Sequence, residues 1–164
     1  MTIAVVYGST TGMTAEAAEK IASRLSADCL NVAETTPETL AGYDALILGS
    51  STWGAGELQS DWEAFLPSLE GMDLRGKKAA VFGCGDSQGF ADTFALALTA
   101  LRDAAAASGA EIIGQGPVDG CGALNADAIP DGVAAGLALD SQNCPECDDA
   151  RIDAWCSALR KALA

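Results

Sequence analysis

Histidine is absent from this chain of 164 residues. The commonest general base and metal ligand is therefore missing, which argues against hydrolase or zinc chemistry built on imidazole. Cations are scarce too: nine Lys and Arg stand against twenty-three Asp and Glu, a net charge of −14. A field of that sign repels nucleic acid and anionic lipid and steers basic protein surfaces into contact. The same acidity also serves solubility, and composition does not choose between the two. Long hydrophobic runs are lacking, since the apolar stretches are strand-length and end in Gly or Ser. A membrane span needs about 20 apolar residues, so no membrane association is expected. The N-terminus has no basic region and reaches Gly8 quickly. A secretory signal is therefore not expected, and a cytoplasmic location is. With half the residues apolar and few aromatics, the composition is that of a soluble globule, and the length suits one domain over residues 1–164.

Six cysteines are present. Cys29 and Cys84 lie in strand-like apolar surroundings and are expected to be buried, reduced thiols. Cys121, Cys144, Cys147 and Cys156 fall in the last third, where Cys144-Pro145-Glu146-Cys147 forms a C-x-x-C. Redox motifs of that kind open a helix after a strand, but this one sits in a polar loop. No second C-x-x-C completes a four-cysteine metal site. Solvent-facing or incidental thiols are expected in this region, with a metal or a disulfide as the alternatives.

What is present is an alternation of strand and helix. Strands are predicted at Ile3–Tyr7, Asp28–Val32, Ala45–Gly49 and Lys78–Gly83, with a fifth starting at Glu111–Gly114. Helices are predicted at Ala15–Leu25, after the Thr36 cap with Pro37 in the first helical position, at Glu57–Leu69 stopped by Gly71, and at Asp92–Ser108 ended by Gly109. A Gly- and Asp-rich segment, 117–136, breaks the rhythm before Leu137–Leu139 reads as strand again. Asp148–Leu163 closes the chain as a helix with Ile152, Trp155, Cys156 and Leu159 on one face. Alternation of this kind implies a parallel sheet with helices on both faces. Ligands of such sheets bind beyond the carboxyl ends of the strands, where strand order reverses. Three loops leave those ends, residues 8–14, 50–57 and 83–92, and all are rich in Gly, Ser, Thr or Asp.

The first loop, Ser9-Thr10-Thr11-Gly12-Met13-Thr14, again lacks a cation. Its amides and hydroxyls, placed ahead of a helix N-terminus, suit a phosphate. A phosphoryl-transfer loop needs G-x-x-x-x-G-K-[ST], whereas Gly8 and Gly12 are one residue too close and Met13 stands where Lys would be. The loop is therefore expected to hold a phosphate rather than transfer it. Gly83-Cys84-Gly85-Asp86-Ser87-Gln88-Gly89 only mimics a dinucleotide fingerprint, because its last Gly comes late and it follows the fourth strand. The second loop carries Trp53 among glycines and the third carries Phe90. Two rings on adjacent loops could sandwich a flat ligand with a phosphate at its other end; a hydrophobic lid is the plainer alternative for Trp53.

On these residues the chain resembles the flavodoxins, specifically the long-chain class. The Ser9–Thr14 turn resembles the family's phosphate loop. Thr52-Trp53 followed by Gly56-Glu57-Leu58-Gln59-Ser60-Asp61-Trp62-Glu63 resembles its second flavin loop and the helix after it, and Gly85–Asp92 resembles its third loop. The resemblance implies a three-layer α/β/α fold with a five-stranded parallel sheet of order 2-1-3-4-5, and an insert, 117–136, splitting the last strand. It implies non-covalent FMN. Ser9, Thr11 and Thr14 hydroxyls and the Thr10, Gly12 and Met13 amides would hold the phosphate. Trp53 and Phe90 would stack on the two ring faces, and Thr52, Gly54, Gly85 and Asp86 would meet the ring edge and ribityl chain. Ser51, Ala55, Cys84, Asp92 and Thr93 complete the implied set. Phe90 replaces the family's usual tyrosine, Thr93 its asparagine, and Met13 a residue that is more often Asn or Lys. No metal and no catalytic side chain is implied.

The implied function is low-potential, one-electron transfer by a monomer, between a reductase such as flavodoxin reductase and acceptor oxidoreductases, nitrogenase among the candidates. Glu57, Asp61, Glu63, Asp86 and Asp92 would form part of an acidic docking surface. The alternative on the same fold is an FMN-dependent NAD(P)H quinone or nitro reductase. Glycine tolerates positive φ, so the Gly54–Ala55 peptide is expected to turn its carbonyl toward the ring on reduction. Gly54→Val should therefore lower the yield of the one-electron-reduced form in a redox titration; an unchanged yield would rule this peptide turn out.

Overall fold

The computed structural model describes residues 1–8, 12–50, 52–53, 57–84, 96–114, 116–117, 133–134, 136–139 and 148–163. The principal strands are β1 (Ile3–Gly8), β2 (Asp28–Asn31), β3 (Ala45–Ser50) and β6 (Lys78–Cys84). The intervening helices are α1 (Met13–Leu25), the short α2 (Pro37–Ala41), α3 (Ser60–Glu70) and α4 (Leu96–Ala107), with α5 (Asp148–Leu163) last. Between β3 and α3 run two-residue strands, β4 (Thr52–Trp53) and β5 (Glu57–Leu58), paired antiparallel. Beyond α4 come β7 (Glu111–Ile112), the antiparallel pair β8 (Gly116–Pro117) and β9 (Val133–Ala134), and β10 (Leu137–Leu139).

The main sheet is parallel and runs β2-β1-β3-β6, with two segments at the fifth position. There β7 pairs with the start of β6, Lys78 opposite Glu111, and β10 with its end, Cys84 opposite Leu139. This is the five-stranded 2-1-3-4-5 order. The last strand is interrupted, as the break in rhythm suggests.

Both faces are covered, which is why the central strands read as unbroken apolar runs. Strand side chains alternate between faces. Ala4, Val6, Leu46, Leu48, Ala79 and Val81 face Trp62, Phe65 and Leu69 of α3 and Leu98 and Leu101 of α4. Val5, Ala45, Ile47, Ala80 and Phe82 face Ala18 and Ile21 of α1 and Ile152, Trp155 and Leu159 of α5. The caps act as their residue types dictate. Thr36 accepts the Thr39 N–H ahead of α2, and Gly71 closes α3. Gly109 follows α4 at φ 99.

Four sequence expectations need correction. α1 starts at Met13 rather than Ala15, directly after Gly12. β2 ends at Asn31, whose side chain accepts the Ala33 N–H and turns Val32–Glu34 into a 3-10 turn. Glu57 and Leu58 are in β5, not a helix, and α3 waits for Ser60 because Gln59 caps it by accepting the Asp61 N–H. Cys29 is exposed rather than buried, since edge strand β2 has a partner on one side only, whereas Cys156 is buried between α5 and the sheet. Burial pushes the Cys156 thiol above its usual range, so it remains protonated at neutral pH. Cys121, Cys144 and Cys147 lie outside the described residues, as does 118–132 of the insert.

Ion pairs fasten α5 to α1: Lys20 meets both Glu16 and Asp149, and Arg24 meets Asp153. Elsewhere Asp73 accepts two guanidinium hydrogen bonds from Arg75, at 2.8 and 2.7 Å. Arg75 pulls the Asp73 carboxyl from 3.8 to about 2, and Lys20 lowers that of Asp149. A carboxylate lowered in the folded state stabilises above its unfolded value and loses that contribution as pH falls through the folded one. The urea midpoint should therefore fall as pH drops from 3.8 toward about 2. Asp73→Asn should remove a small, measurable part of that slope, because the pair is exposed.

Candidate functional site

Three strands end on one rim of the sheet. Gly8 closes β1 directly opposite Ser50, the last residue of β3, and Gly49 pairs with Phe82 near the end of β6. The chain builds β2 on one side of β1 and then crosses to β3 on the other, so strand order reverses at β1. Open α/β sheets bind ligands in such a crevice, and the family this chain resembles is one of the known instances.

The segment leaving β1 enters α1 through Gly12. Its φ of 91 is left-handed, and among the described residues a Cβ built on it would meet nothing within 4 Å. Glycine is needed here for the backbone. The Gly12 carbonyl accepts the first helical bond from the Glu16 N–H at 3.0 Å. Thr14 lies in the first turn and is buried. The α1 N-terminus thus stands over the rim with its dipole favouring an anion, and residues 9–14 contain no Lys or Arg to neutralise one. Ser9, Thr10 and Thr11 lie outside the described residues.

The segment leaving β3 is held at both ends. Gln59, where it returns, donates its backbone N–H to Ser50 Oγ at 3.1 Å. The Gln59 amide also accepts the Asp61 N–H at 3.0 Å and donates to Asp61 Oδ2 at 2.9 Å. Trp62 is fully buried and donates its indole N–H to the Gly49 carbonyl at 2.6 Å. Above this base, Thr52 pairs with Leu58 and Trp53 with Glu57. The structure therefore puts the backbone of Thr52 and Trp53 over the β3 end. Ser51, Gly54 and Ala55 lie outside the described residues. Cys84 ends β6 on the same rim, while Gly85, Asp86, Phe90, Asp92 and Thr93 also lie outside them.

Sequence reasoning assigns no role to Ser50, Gln59 or Trp62. The only signal for them is a helix-capping polar residue ahead of a tryptophan at the start of α3. Tyr7, one residue before Gly8, has its phenol raised first by burial and then by Cys29, Glu19 and Glu34, so it stays neutral at ordinary pH. Among the described residues, no group of three or more His, Cys, Asp or Glu is placed to hold a metal.

The flavodoxin family profile matches residues 5–155 of the sequence. The chain belongs to the flavodoxin family. It is 39% identical to a flavodoxin from Picosynechococcus sp., covering 98% of this chain and 97% of that protein. Flavodoxin 1 of Salmonella typhimurium is also 39% identical, over 97% of this chain and 93% of its own. A crystal structure of Fusobacterium nucleatum flavodoxin bound to flavin mononucleotide superposes with a TM-score of 0.91, at 27% identity, covering 98% of each chain.

Because no described residue stands within 4 Å of a Cβ at Gly12, Gly12→Ala reports on its left-handed backbone. It should lower stability by about 1–2 kcal/mol through left-handed strain. Urea denaturation measures this, and an unchanged midpoint would contradict the assigned φ.

Proposed function

We propose that residues 1–164 form one domain that binds FMN without covalent attachment. It carries electrons singly, at low potential, as a cytoplasmic monomer between a reductase and acceptor redox enzymes. Flavodoxins are electron-transfer proteins, not enzymes. The observation that carries the reading is the meeting of three strand ends on one rim, beside an α1 N-terminus opened by a left-handed glycine. The residues present fit a phosphate-bearing ligand, since no described residue stands within 4 Å of a Cβ at Gly12 and the Thr14 side chain belongs to the first turn.

Ser9, Thr10, Thr11, Gly12, Met13 and Thr14 would hold the phosphate through amides and hydroxyls. Trp53 and Phe90 would face the ring, with Ser51, Thr52, Gly54, Ala55, Cys84, Gly85, Asp86, Asp92 and Thr93 around its edge and ribityl chain. Bound there, FMN supplies the centre that takes and gives electrons. The chain's own contribution is electrostatic: a net charge of −14 and a cation-free phosphate seat oppose adding negative charge at the rim. Apolar rings beside the ligand would exclude water and strengthen that opposition. The acidic surface, with Glu57, Asp61, Glu63, Asp86 and Asp92 near the loops, would meet basic faces on its partners, flavodoxin reductase and oxidoreductases such as nitrogenase. The free thiols of Cys29 and Cys156 suit a reducing compartment. Among the described residues no helix is long and apolar enough to cross a membrane.

The purified protein should be yellow, retain FMN through gel filtration and quench its fluorescence. Electron transfer to a basic-faced reductase should depend strongly on ionic strength as the Debye length shrinks from about 30 Å at 0.01 M to about 3 Å at 1 M. Failure to retain FMN would overturn the reading. Direct bleaching by NADPH without a reductase would favour the reductase alternative instead.

A further inference from the structure

We propose that Ser50 is a positioning residue whose hydroxyl clasps the base of the β4–β5 pair, and so sets how the Trp53 segment sits over the rim. The inference rests on the FMN reading above.

Ser50 lies where the stems of all three loops converge. It is fully buried and opposite Gly8, the last residue before the first loop. On its other side Gly83, the stem of the third loop, lies so close that an added Cβ would overlap the Ser50 carbonyl oxygen and come within 2.9 Å of Leu98 Cδ2. Ser50 Oγ accepts the Gln59 N–H at 3.1 Å. That bond joins the last residue of β3 to the residue after β5. Two residues cannot hold an antiparallel strand pair by themselves, because an isolated hairpin is marginal in water. The pair therefore depends on α4, which lies against both of its strands, and on what fastens its ends.

Gln59 is itself immobilised, so the clasp has a firm anchor. Its side chain is 2% exposed and bonded at both amide atoms to Asp61. It also packs against the end of β1: a Cβ on Gly8 would reach 3.2 Å from the Gln59 amide carbon and 2.8 Å from Trp62 Cδ1. Trp62, bonded to the Gly49 carbonyl, secures the preceding residue of β3. With Gln59 anchored this way, the Ser50 hydroxyl ties the outgoing end of the segment to its returning end, below the β4–β5 pairing. Its removal leaves the strands and the α1 N-terminus in place, so it should act on the ring side of the site and leave the phosphate side alone.

Ser50→Ala tests this in titrations of apoprotein with FMN, with riboflavin and with inorganic phosphate, alongside thermal melts and visible circular dichroism of the bound flavin. The expected result is about tenfold weaker binding of FMN and riboflavin, as loss of one buried hydrogen bond allows. The flavin dichroism should change, while phosphate affinity stays unchanged. Gln59→Pro serves as a second variant, because it deletes the donor N–H while the native φ of −58 suits proline. Gln59→Pro also removes the side-chain cap of α3, so its own loss should be larger. On that background Ser50→Ala should cost much less FMN affinity than it does in the wild type, because the bond from the Gln59 N–H to Ser50 Oγ is already broken. Wild-type affinity and dichroism in Ser50→Ala would overturn the clasp, as would additive losses in the double variant. Equal weakening of FMN and phosphate in step with a lower melting temperature would also overturn it. A wild-type protein that takes up no FMN would overturn the cofactor reading and the clasp together, which separates the two failures.

Discussion

The register of β1, β3 and β6 is the constraint on which the rest of the molecule depends. Gly8 opposite Ser50 and Gly49 opposite Phe82 bring three strand ends to one level, and every candidate ligand loop starts from that level. A slip of one residue would turn each strand's alternating side chains to the other face. It would move Ala4 and Val6 from the α3–α4 layer to the α1–α5 layer, so burial on both faces locks the rim as firmly as the hydrogen bonds do. The close approach at Gly83, with no room for a Cβ beside Ser50, is a second lock at the same level.

Function then follows from what the rim lacks as much as from what it holds. In the proposed reading, a phosphate seat at the α1 N-terminus without Lys or Arg would anchor by dipole, amides and hydroxyls and leave the anion's charge largely in place. In a chain of net charge −14, that retained charge would add to a field opposing reduction. Binding energy and a low potential would then come from separate features: local amide geometry for the first, long-range charge for the second. Such a division would let Phe90 and Thr93 near the ring depart from the family pattern, and would let Met13 do so in the phosphate loop, where only its amide is used, without dismantling the seat.

Most of the architecture was legible in the sequence, for definite reasons. Continuous apolar runs at Ile3–Tyr7, Ala45–Gly49 and Lys78–Gly83 can only be strands covered on both faces, and alternation with helices makes the sheet parallel. The Thr36 cap and the glycines after helices 3 and 4 act locally, so their effect is visible without neighbours. The larger errors occurred where a nonlocal partner decides, whereas the shifted ends of α1 and β2 follow from local caps at Gly12 and Asn31. Glu57 and Leu58 have helical company in sequence, yet each pairs across to β4, and the helix begins only where Gln59 can cap it. Cys29 sits in an apolar-looking strand, but that strand is an edge.

By itself, the sequence determined the layers, the strand order through family resemblance, the cation-free phosphate turn and the sign of the surface field. Apart from the strand order, which the resemblance implies, these depend on periodicity, residue chemistry and charge count, which need no knowledge of contacts. Only the tertiary structure decided that Ser50, Gln59 and Trp62 form the buried base of the second loop. A serine hydroxyl and a backbone N–H nine positions apart have no local reason to meet, and it is the return of the chain through the β4–β5 pair that brings them together.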